Sequence, residues 1–173
     1  HIVDLVKSGR MNVDDLVATQ RRELDRLQAL RVMHGRNEES VRLAADHPDA
    51  VVGFGVAGDE AAPISPYRAV VERAAAAGVH LVHHAGETGG ADSVREALDI
   101  GRAERIGHGI RSLEDPELVA RLRDERVPLE VCPSSNVVLG LVPSLAAHPL
   151  PGLVEASLVV TLNTDIPAIT GRT

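Results

Sequence analysis

Residues 80–100 read HLVHHAGETGGADSVREALDI and contain one complete strand–turn–helix unit. The mostly apolar run His80–His84 is typical of a short strand, and the glycines of residues 86–90 are typical of a turn. Asp92–Ile100 then has the apolar spacing of a helix. Strands that alternate with helices build parallel α/β sheets. This segment therefore predicts the fold class, and the rest of the chain repeats its pattern.

The same alternation of strand and helix continues on both sides of this segment. The other predicted strands are Val51–Val56, Glu104–Ile106, Leu129–Val131 and Leu158–Leu162, and the other predicted helices are Val13–His34, Glu38–Ala45, Tyr67–Ala77, Asp115–Arg126 and Pro151–Ala156. No break in composition separates them, so we expect one α/β domain over residues 1–173. Five parallel strands cannot close a barrel, which typically needs about 250 residues. We therefore expect a fragment of a barrel.

Composition excludes several classes of protein. The 173 residues carry a net charge of −7 with no basic stripe, so we expect no nucleic-acid partner. No apolar run approaches the roughly 20 residues of a membrane span, and we expect a cytoplasmic protein without a membrane partner. Cys132 is the single cysteine, which excludes an intramolecular disulfide and a cysteine-rich zinc cluster.

Polar and titratable residues follow four successive strands. The motifs are His84-Ala85-Gly86-Glu87, Gly107-His108-Gly109, Cys132-Pro133-Ser134-Ser135-Asn136 and Asn163-Thr164-Asp165. In a barrel of parallel strands, side chains at the carboxyl ends of the strands line one pocket. Histidine, glutamate and aspartate are the residue types of a metal-assisted hydrolase.

Each motif taken alone has a structural interpretation. The His84–Glu87 pair can belong to a turn, His108 can fill a turn between two glycines, and Asp165 can be a cap. Their convergence on one rim favours a functional site. Competing motifs are weaker: the glycines of 86–90 resemble a phosphate cradle without its lysine. Cys132 has no Cys-x-x-Cys partner and is expected to be a buried apolar residue.

Together these motifs resemble the adenosine deaminase family. The segments that carry the resemblance are Ala57-Gly58-Asp59-Glu60, His84-Ala85-Gly86-Glu87, Arg105-Ile106-Gly107-His108-Gly109, Glu130-Val131-Cys132-Pro133-Ser134-Ser135-Asn136 and Leu162-Asn163-Thr164-Asp165. The resemblance implies a TIM (β/α)8 barrel, present here only in part as about five C-terminal βα units. It also implies hydrolytic deamination of a 6-aminopurine nucleoside, adenosine to inosine plus ammonia.

The resemblance also implies a role for each site residue. His84 and Asp165 would be ligands of one Zn²⁺, and Glu87 would protonate the purine ring nitrogen beside the reacting carbon. His108 would orient and polarise the nucleophile, and the main-chain amide of Gly58 would hold the purine. A carboxylic acid that protonates a ring must be kept neutral by its surroundings.

Three departures from the family pattern concern ligands and substrate. The family's His-x-His pair, its other two zinc ligands, is absent from this sequence. Ile166 stands where the family has a second aspartate that bonds the purine, and Gly55-Val56 stands where it has Asp-Leu. Adenine or an aminofutalosine-type nucleoside therefore stays open as the substrate. A non-catalytic descendant that binds a purine or a partner protein also stays open.

Overall fold

A computed structural model describes residues 38–167 and the main chain of residues 31–34. Within these ranges six parallel strands form one sheet in the order β1-β2-β3-β4-β5-β6. The strands are β1 Arg31–His34, β2 Val51–Gly55, β3 His80–Ala85, β4 Arg105–His108, β5 Leu129–Val131 and β6 Val160–Leu162. The helices are α1 Glu38–Asp46, α2 Arg68–Ala76, α3 Gly90–Asp99, α4 Pro116–Asp124, α5 Pro133–Val138 and α6 Leu150–Glu155.

Neighbours in the sheet are also neighbours along the chain, and at least one helix separates each pair of strands. This order brings the carboxyl ends of all six strands to the same edge, where α/β barrels carry their sites. The predicted α/β class and partial barrel are confirmed. Three short 3₁₀ helices, Ser65–Tyr67, Ile110–Glu114 and Leu145–Ala147, lie in the connections.

Two aliphatic clusters pack the helices against the sheet. One joins α1 and α2 to the first strands and contains Val41, Val71 and Leu81 together with the aromatic Phe54. The other lies under β4 to β6, where Ile106, Leu118, Leu122, Leu129 and Leu153 are almost completely buried. Burying a leucine or isoleucine side chain contributes about 1.5–3 kcal/mol, so these clusters supply the main force that holds the strand ends in place.

Two sequence predictions need correction. Residues 31–34, predicted as the end of helix Val13–His34, form a strand that pairs with β2, Val32 opposite Gly53 and His34 opposite Gly55. The sheet therefore has six strands where five were predicted. The remainder of that predicted helix lies outside the described residues. Helix α5 was not predicted, because Pro133-Ser134-Ser135-Asn136 reads as a loop.

In the part of the chain that the structure describes, the helices are too short and too polar for any of them to span a bilayer.

Candidate active site

Four of the predicted site residues meet at the carboxyl edge of the sheet. Ligand atoms of Glu87, His108 and Asp165, from three separate strand ends, all lie within 4.8 Å of one another. The ring of His84 lies edge-on to that of His108, with 4.8 Å between ring centroids and 77° between the planes. Two imidazoles and two carboxyl groups thus share one small volume.

Glycines beside His108 make room for this arrangement. Gly107 pairs with His84 across β3 and β4, and a Cβ at Gly107 would lie 2.9 Å from Cδ2 of the His84 ring. Gly109 has φ +67°, and a Cβ there would lie 2.8 Å from Cδ2 of Leu129. Glycine is therefore required at position 107 because the His84 ring lies against the main chain there. It is required at position 109 because the backbone is left-handed and Leu129 is close.

Two of the site residues have left-handed backbone conformations. His108 has φ 68° and Asp165 has φ 59°. Residues other than glycine rarely have positive φ, and holding them there costs on the order of 1–3 kcal/mol. The surrounding packing therefore holds these two side chains toward the cluster against the preference of their backbone for negative φ.

Glu60 fixes the turn that carries Glu87. Its carboxylate accepts hydrogen bonds from the main-chain N–H groups of Glu87 at 3.1 Å, Thr88 at 3.0 Å and Gly89 at 2.7 Å. The sequence pattern alone assigns no role to Glu60. The sequence feature that could have indicated this contact is the glycine-rich turn of residues 86–90, which resembles a phosphate cradle. Successive main-chain amides of that turn do bind an anion, and the anion is the Glu60 carboxylate of the same protein.

The first turn of α5 contributes two buried polar side chains. Ser135 donates a hydrogen bond from Oγ to Oδ2 of Asp165 at 2.5 Å, and Asn136 donates from Nδ2 to Oε1 of Glu87 at 3.0 Å. Ser135 is 1 % and Asn136 0 % exposed. The Ser-Ser-Asn motif thus orients two carboxyl groups, whereas the sequence placed it at the rim without a specific contact.

Burial sets the protonation of the cluster. Desolvation, together with the negative charges of Asp165 and Glu60, raises the pKa of Glu87 to about 7, against a smaller lowering by the Asn136 hydrogen bond. Desolvation lowers the pKa of His108 and of His84, and for His84 the neighbouring His108 lowers it further. Near neutral pH the site can therefore hold neutral imidazoles beside a carboxyl group that exchanges a proton.

The cluster fits a zinc ion by its chemistry. Nδ1 of His108 is buried and has no hydrogen-bond partner among the described residues, although it lies 3.4 Å from Oε1 of Glu87. Imidazole nitrogen and carboxylate oxygen are ligands that Zn²⁺ accepts. Cys132 does not fit this role, because burial raises the pKa of its thiol to about 12. It is buried, as predicted.

The two residues that the resemblance assigns to the substrate, Gly58 and Ile166, occupy different positions. Gly58, with φ 123°, lines a cavity together with Glu60 and His84. Ile166 follows Asp165 at the rim, is 40 % exposed and is not among the residues that line this cavity. Gly58 is therefore near the site residues that the resemblance links to it, and Ile166 presents an aliphatic surface at the edge.

Comparisons with known proteins agree with the strand-end motifs. The profile of the family described as adenosine deaminase matches residues 1–173, and the chain belongs to that family. Aminodeoxyfutalosine deaminase of Streptomyces avermitilis is 47% identical over 138 residues, 78% of this chain and 38% of that protein. Adenine deaminase of a Chelativorans species is 52% identical over 133 residues, 75% of this chain and 41% of that protein.

A solved structure agrees with the fold. The crystal structure of adenine deaminase from Arthrobacter aurescens superposes with a TM-score of 0.74 at 40% identity, over 83% of this chain and 46% of that one. The chain thus spans about two fifths of the length of the curated relatives it matches. The resemblance read from the motifs is confirmed at the level of the family.

Proposed function

We propose that the protein carrying this chain is a zinc-dependent hydrolase that replaces the exocyclic amine of a 6-aminopurine with oxygen and releases ammonia. The observation that carries the proposal is the close group of Glu87, His108 and Asp165 beside His84, in which His108 is buried and the two carboxyl groups are partly buried. Residues 1–173 would form one partial barrel domain, and the pocket at its carboxyl edge would take a small purine, not a macromolecule.

His84 and Asp165 are the residues that would hold the zinc. A bound zinc would supply a nucleophile at neutral pH by acidifying water. Ser135 supports this role for Asp165, because its hydrogen bond fixes one carboxylate oxygen. His108, kept neutral by burial, can accept or pass on a proton through a ring nitrogen that no described side chain occupies.

Glu87 would be the general acid. Attack at the carbon that bears the amine pushes electrons onto the adjacent ring nitrogen, and a proton delivered there neutralises the charge as it develops. With its pKa raised to about 7, Glu87 is protonated in a useful fraction of molecules at neutral pH. Glu60 holds the turn in place through three amides, so the acid keeps its position during turnover.

Within 6-aminopurines we favour adenine or an aminofutalosine-type nucleoside over adenosine. The relatives described above are adenine and aminodeoxyfutalosine deaminases. Ile166 supports the same choice, because an aliphatic side chain cannot make the hydrogen bond that a carboxyl group would give to the purine. A substrate whose other substituents orient it in the pocket needs that bond less.

The test is ammonia release by the full-length, zinc-loaded protein with adenine, adenosine and aminodeoxyfutalosine, in wild type and Glu87→Gln. We expect the variant to keep its zinc and lose 10²- to 10⁴-fold in kcat, the typical contribution of a positioned acid. Glu72→Gln on the exposed face of α2 controls for the loss of one charge.

Activity of Glu87→Gln above a tenth of wild type would remove Glu87 from the mechanism. No turnover of any of the three compounds by the wild type would favour a non-catalytic purine binder.

A further inference from the structure

A chain of hydrogen bonds leads from the main chain of α6 to the carboxyl group of Glu87. The N–H of Leu150 donates to Nδ1 of His148 at 3.0 Å. Nε2 of His148 lies 3.1 Å from Oδ1 of Asn136, and Nδ2 of Asn136 lies 3.0 Å from Oε1 of Glu87. His148 is 4 % exposed and Asn136 is fully buried, so both groups are shielded from solvent.

The direction of every bond in this chain follows from its first member. A main-chain N–H can only donate, so Nδ1 of His148 must be the unprotonated ring nitrogen. Burial lowers the pKa of His148, and a neutral ring then has its single hydrogen on Nε2. That hydrogen can only be donated to the carbonyl oxygen of Asn136. The amide group of Asn136 is thereby fixed with its NH₂ toward Glu87.

This direction distinguishes the two oxygens of Glu87. Oε1 receives a hydrogen from Asn136 and also faces Nδ1 of His108 at 3.4 Å. The unprotonated oxygen of a carboxyl group is the better acceptor, so the Asn136 hydrogen bond favours Oε1 as that oxygen. Nδ1 of His108 makes no hydrogen bond to Oε1, so no acceptor is in place for a hydrogen on that oxygen. The neutral acid therefore favours its hydrogen on Oε2. None of the described residues hydrogen-bonds to Oε2.

We propose that His148 and Asn136 are positioning residues that place the acidic hydrogen of Glu87 on Oε2, the oxygen that no described residue hydrogen-bonds and that can therefore donate to a substrate. The inference rests on the proposed function, because it assigns a task to the general acid. Without the hydrogen on Nε2 of His148, the Asn136 amide could turn over. Its carbonyl oxygen would then accept the Glu87 hydrogen at Oε1 and hold it away from the substrate.

Two substitutions of His148 separate this role from a structural one. Asparagine places an acceptor at the same number of bonds from Cα as Nδ1, so His148→Asn keeps the Leu150 bond and loses the donor to Asn136. Glutamine places an N–H at the same number of bonds as Nε2, so His148→Gln keeps that donor and loses the Leu150 bond. The two variants thus remove opposite halves of the hydrogen-bond chain between Leu150 and Asn136.

The experiment measures kcat, KM and thermal unfolding of both variants in the full-length, zinc-loaded protein. We expect His148→Asn to lose at least tenfold in kcat with KM within threefold of wild type. For His148→Gln we expect kcat and KM to stay within threefold of wild type, even if this variant has a lower unfolding temperature than His148→Asn. The inference is wrong if kcat falls equally in the two variants or if the loss of kcat follows the loss of unfolding temperature. It is also wrong if kcat of His148→Asn stays within twofold of wild type.

A double variant separates failure of this inference from failure of the proposed function. If His148 acts through Glu87, His148→Asn added to Glu87→Gln should cause less than twofold further loss of kcat. A tenfold further loss would show that His148 acts on something else and would overturn the inference alone. Full activity of Glu87→Gln would overturn the proposed function as well.

Discussion

Glu87 is placed where its charge is unfavourable. Its pKa is raised to about 7, first by desolvation and then by Asp165 and Glu60. Between pH 4.5 and 7 the folded protein thus holds a proton that the unfolded chain has released, and the free energy of unfolding falls as pH rises through this window. A stable fold would avoid such a group, whereas a general acid requires it.

Glu87→Gln should therefore stabilise the protein at high pH. In zinc-free, full-length protein we expect no gain at pH 4.5 and a gain of about 1–3 kcal/mol at pH 8, because glutamine keeps the Asn136 bond and carries no charge. Urea unfolding at both pH values measures the difference, and Glu72→Gln is the exposed control. A gain that is the same at both pH values would show that Glu87 is not forced toward neutrality by its surroundings.

The side chains to which we assign the chemistry could be predicted from the sequence, and the side chains that contact them could not. His84 and His108 lie at the carboxyl ends of β3 and β4, and Glu87 and Asp165 lie two and three residues past the ends of β3 and β6. The strand pattern alone therefore places all four on one edge. Glu60 and Asn136 contact Glu87 across 27 and 49 positions of sequence. Such contacts depend on how loops fold back over the edge, and local spacing carries no signal for them.

At the scale of elements, capping chemistry predicted one helix start closely. Asp115 precedes Pro116 at the start of α4, and its Oδ1 accepts from the amides of Glu117 at 2.9 Å and Leu118 at 3.1 Å. These contacts and the Arg95 guanidinium hold the pKa of Asp115 below its usual value. The cap is local in sequence, so the pattern Asp-Pro-Glu was sufficient.

Strand β1 and helix α5 show where local patterns fail. Residues 31–34 continue the apolar spacing of the segment before them, yet pairing with β2 decides their structure. Helix α5 has only six residues and is stabilised by contacts of its buried Ser135 and Asn136 with distant carboxyl groups. In both cases tertiary interactions override local propensity.

The turn after β4 allows a matched test of glycine. Gly109 and Gly78 have similar φ values, +67° and +73°, but a Cβ at Gly78 would meet nothing within 4 Å. We expect Gly78→Ala to cost about 1–2 kcal/mol of unfolding free energy through backbone strain alone. Gly109→Ala should cost about 2–5 kcal/mol, because Leu129 is fully buried and has no room to move away. Denaturant unfolding measures both, and equal losses would mean that close packing at Gly109 is unimportant.

At the scale of the whole molecule, the sheet collects site residues from strands that are far apart in sequence. Residues at or just past the carboxyl ends of β3, β4 and β6 converge because consecutive strands are parallel neighbours. The described residues of this edge include a carboxyl group whose pKa is raised to about 7, an amide that hydrogen-bonds to it, and two imidazoles whose pKa values are lowered. Tight zinc binding has a further requirement, because zinc sites in proteins use three or four protein ligands.

The resemblance assigns two zinc ligands to this chain, His84 and Asp165, and treats Glu87 as an acid. We therefore expect the 173-residue chain, expressed alone and checked for its fold by circular dichroism, to retain well under one equivalent of zinc after dialysis. The full-length protein should retain about one, lose it in Asp165→Asn, and keep it in Glu87→Gln. Metal analysis by atomic emission measures these four samples and a fifth, Glu87→Gln in the isolated chain. The geometry defines the contrary outcome, because Glu87, His108 and Asp165 lie close enough to form a three-ligand site by themselves. Tight, stoichiometric zinc in the isolated chain that is lost in Glu87→Gln would make Glu87 a ligand, and an oxygen bound to zinc could not also deliver the proton to the purine.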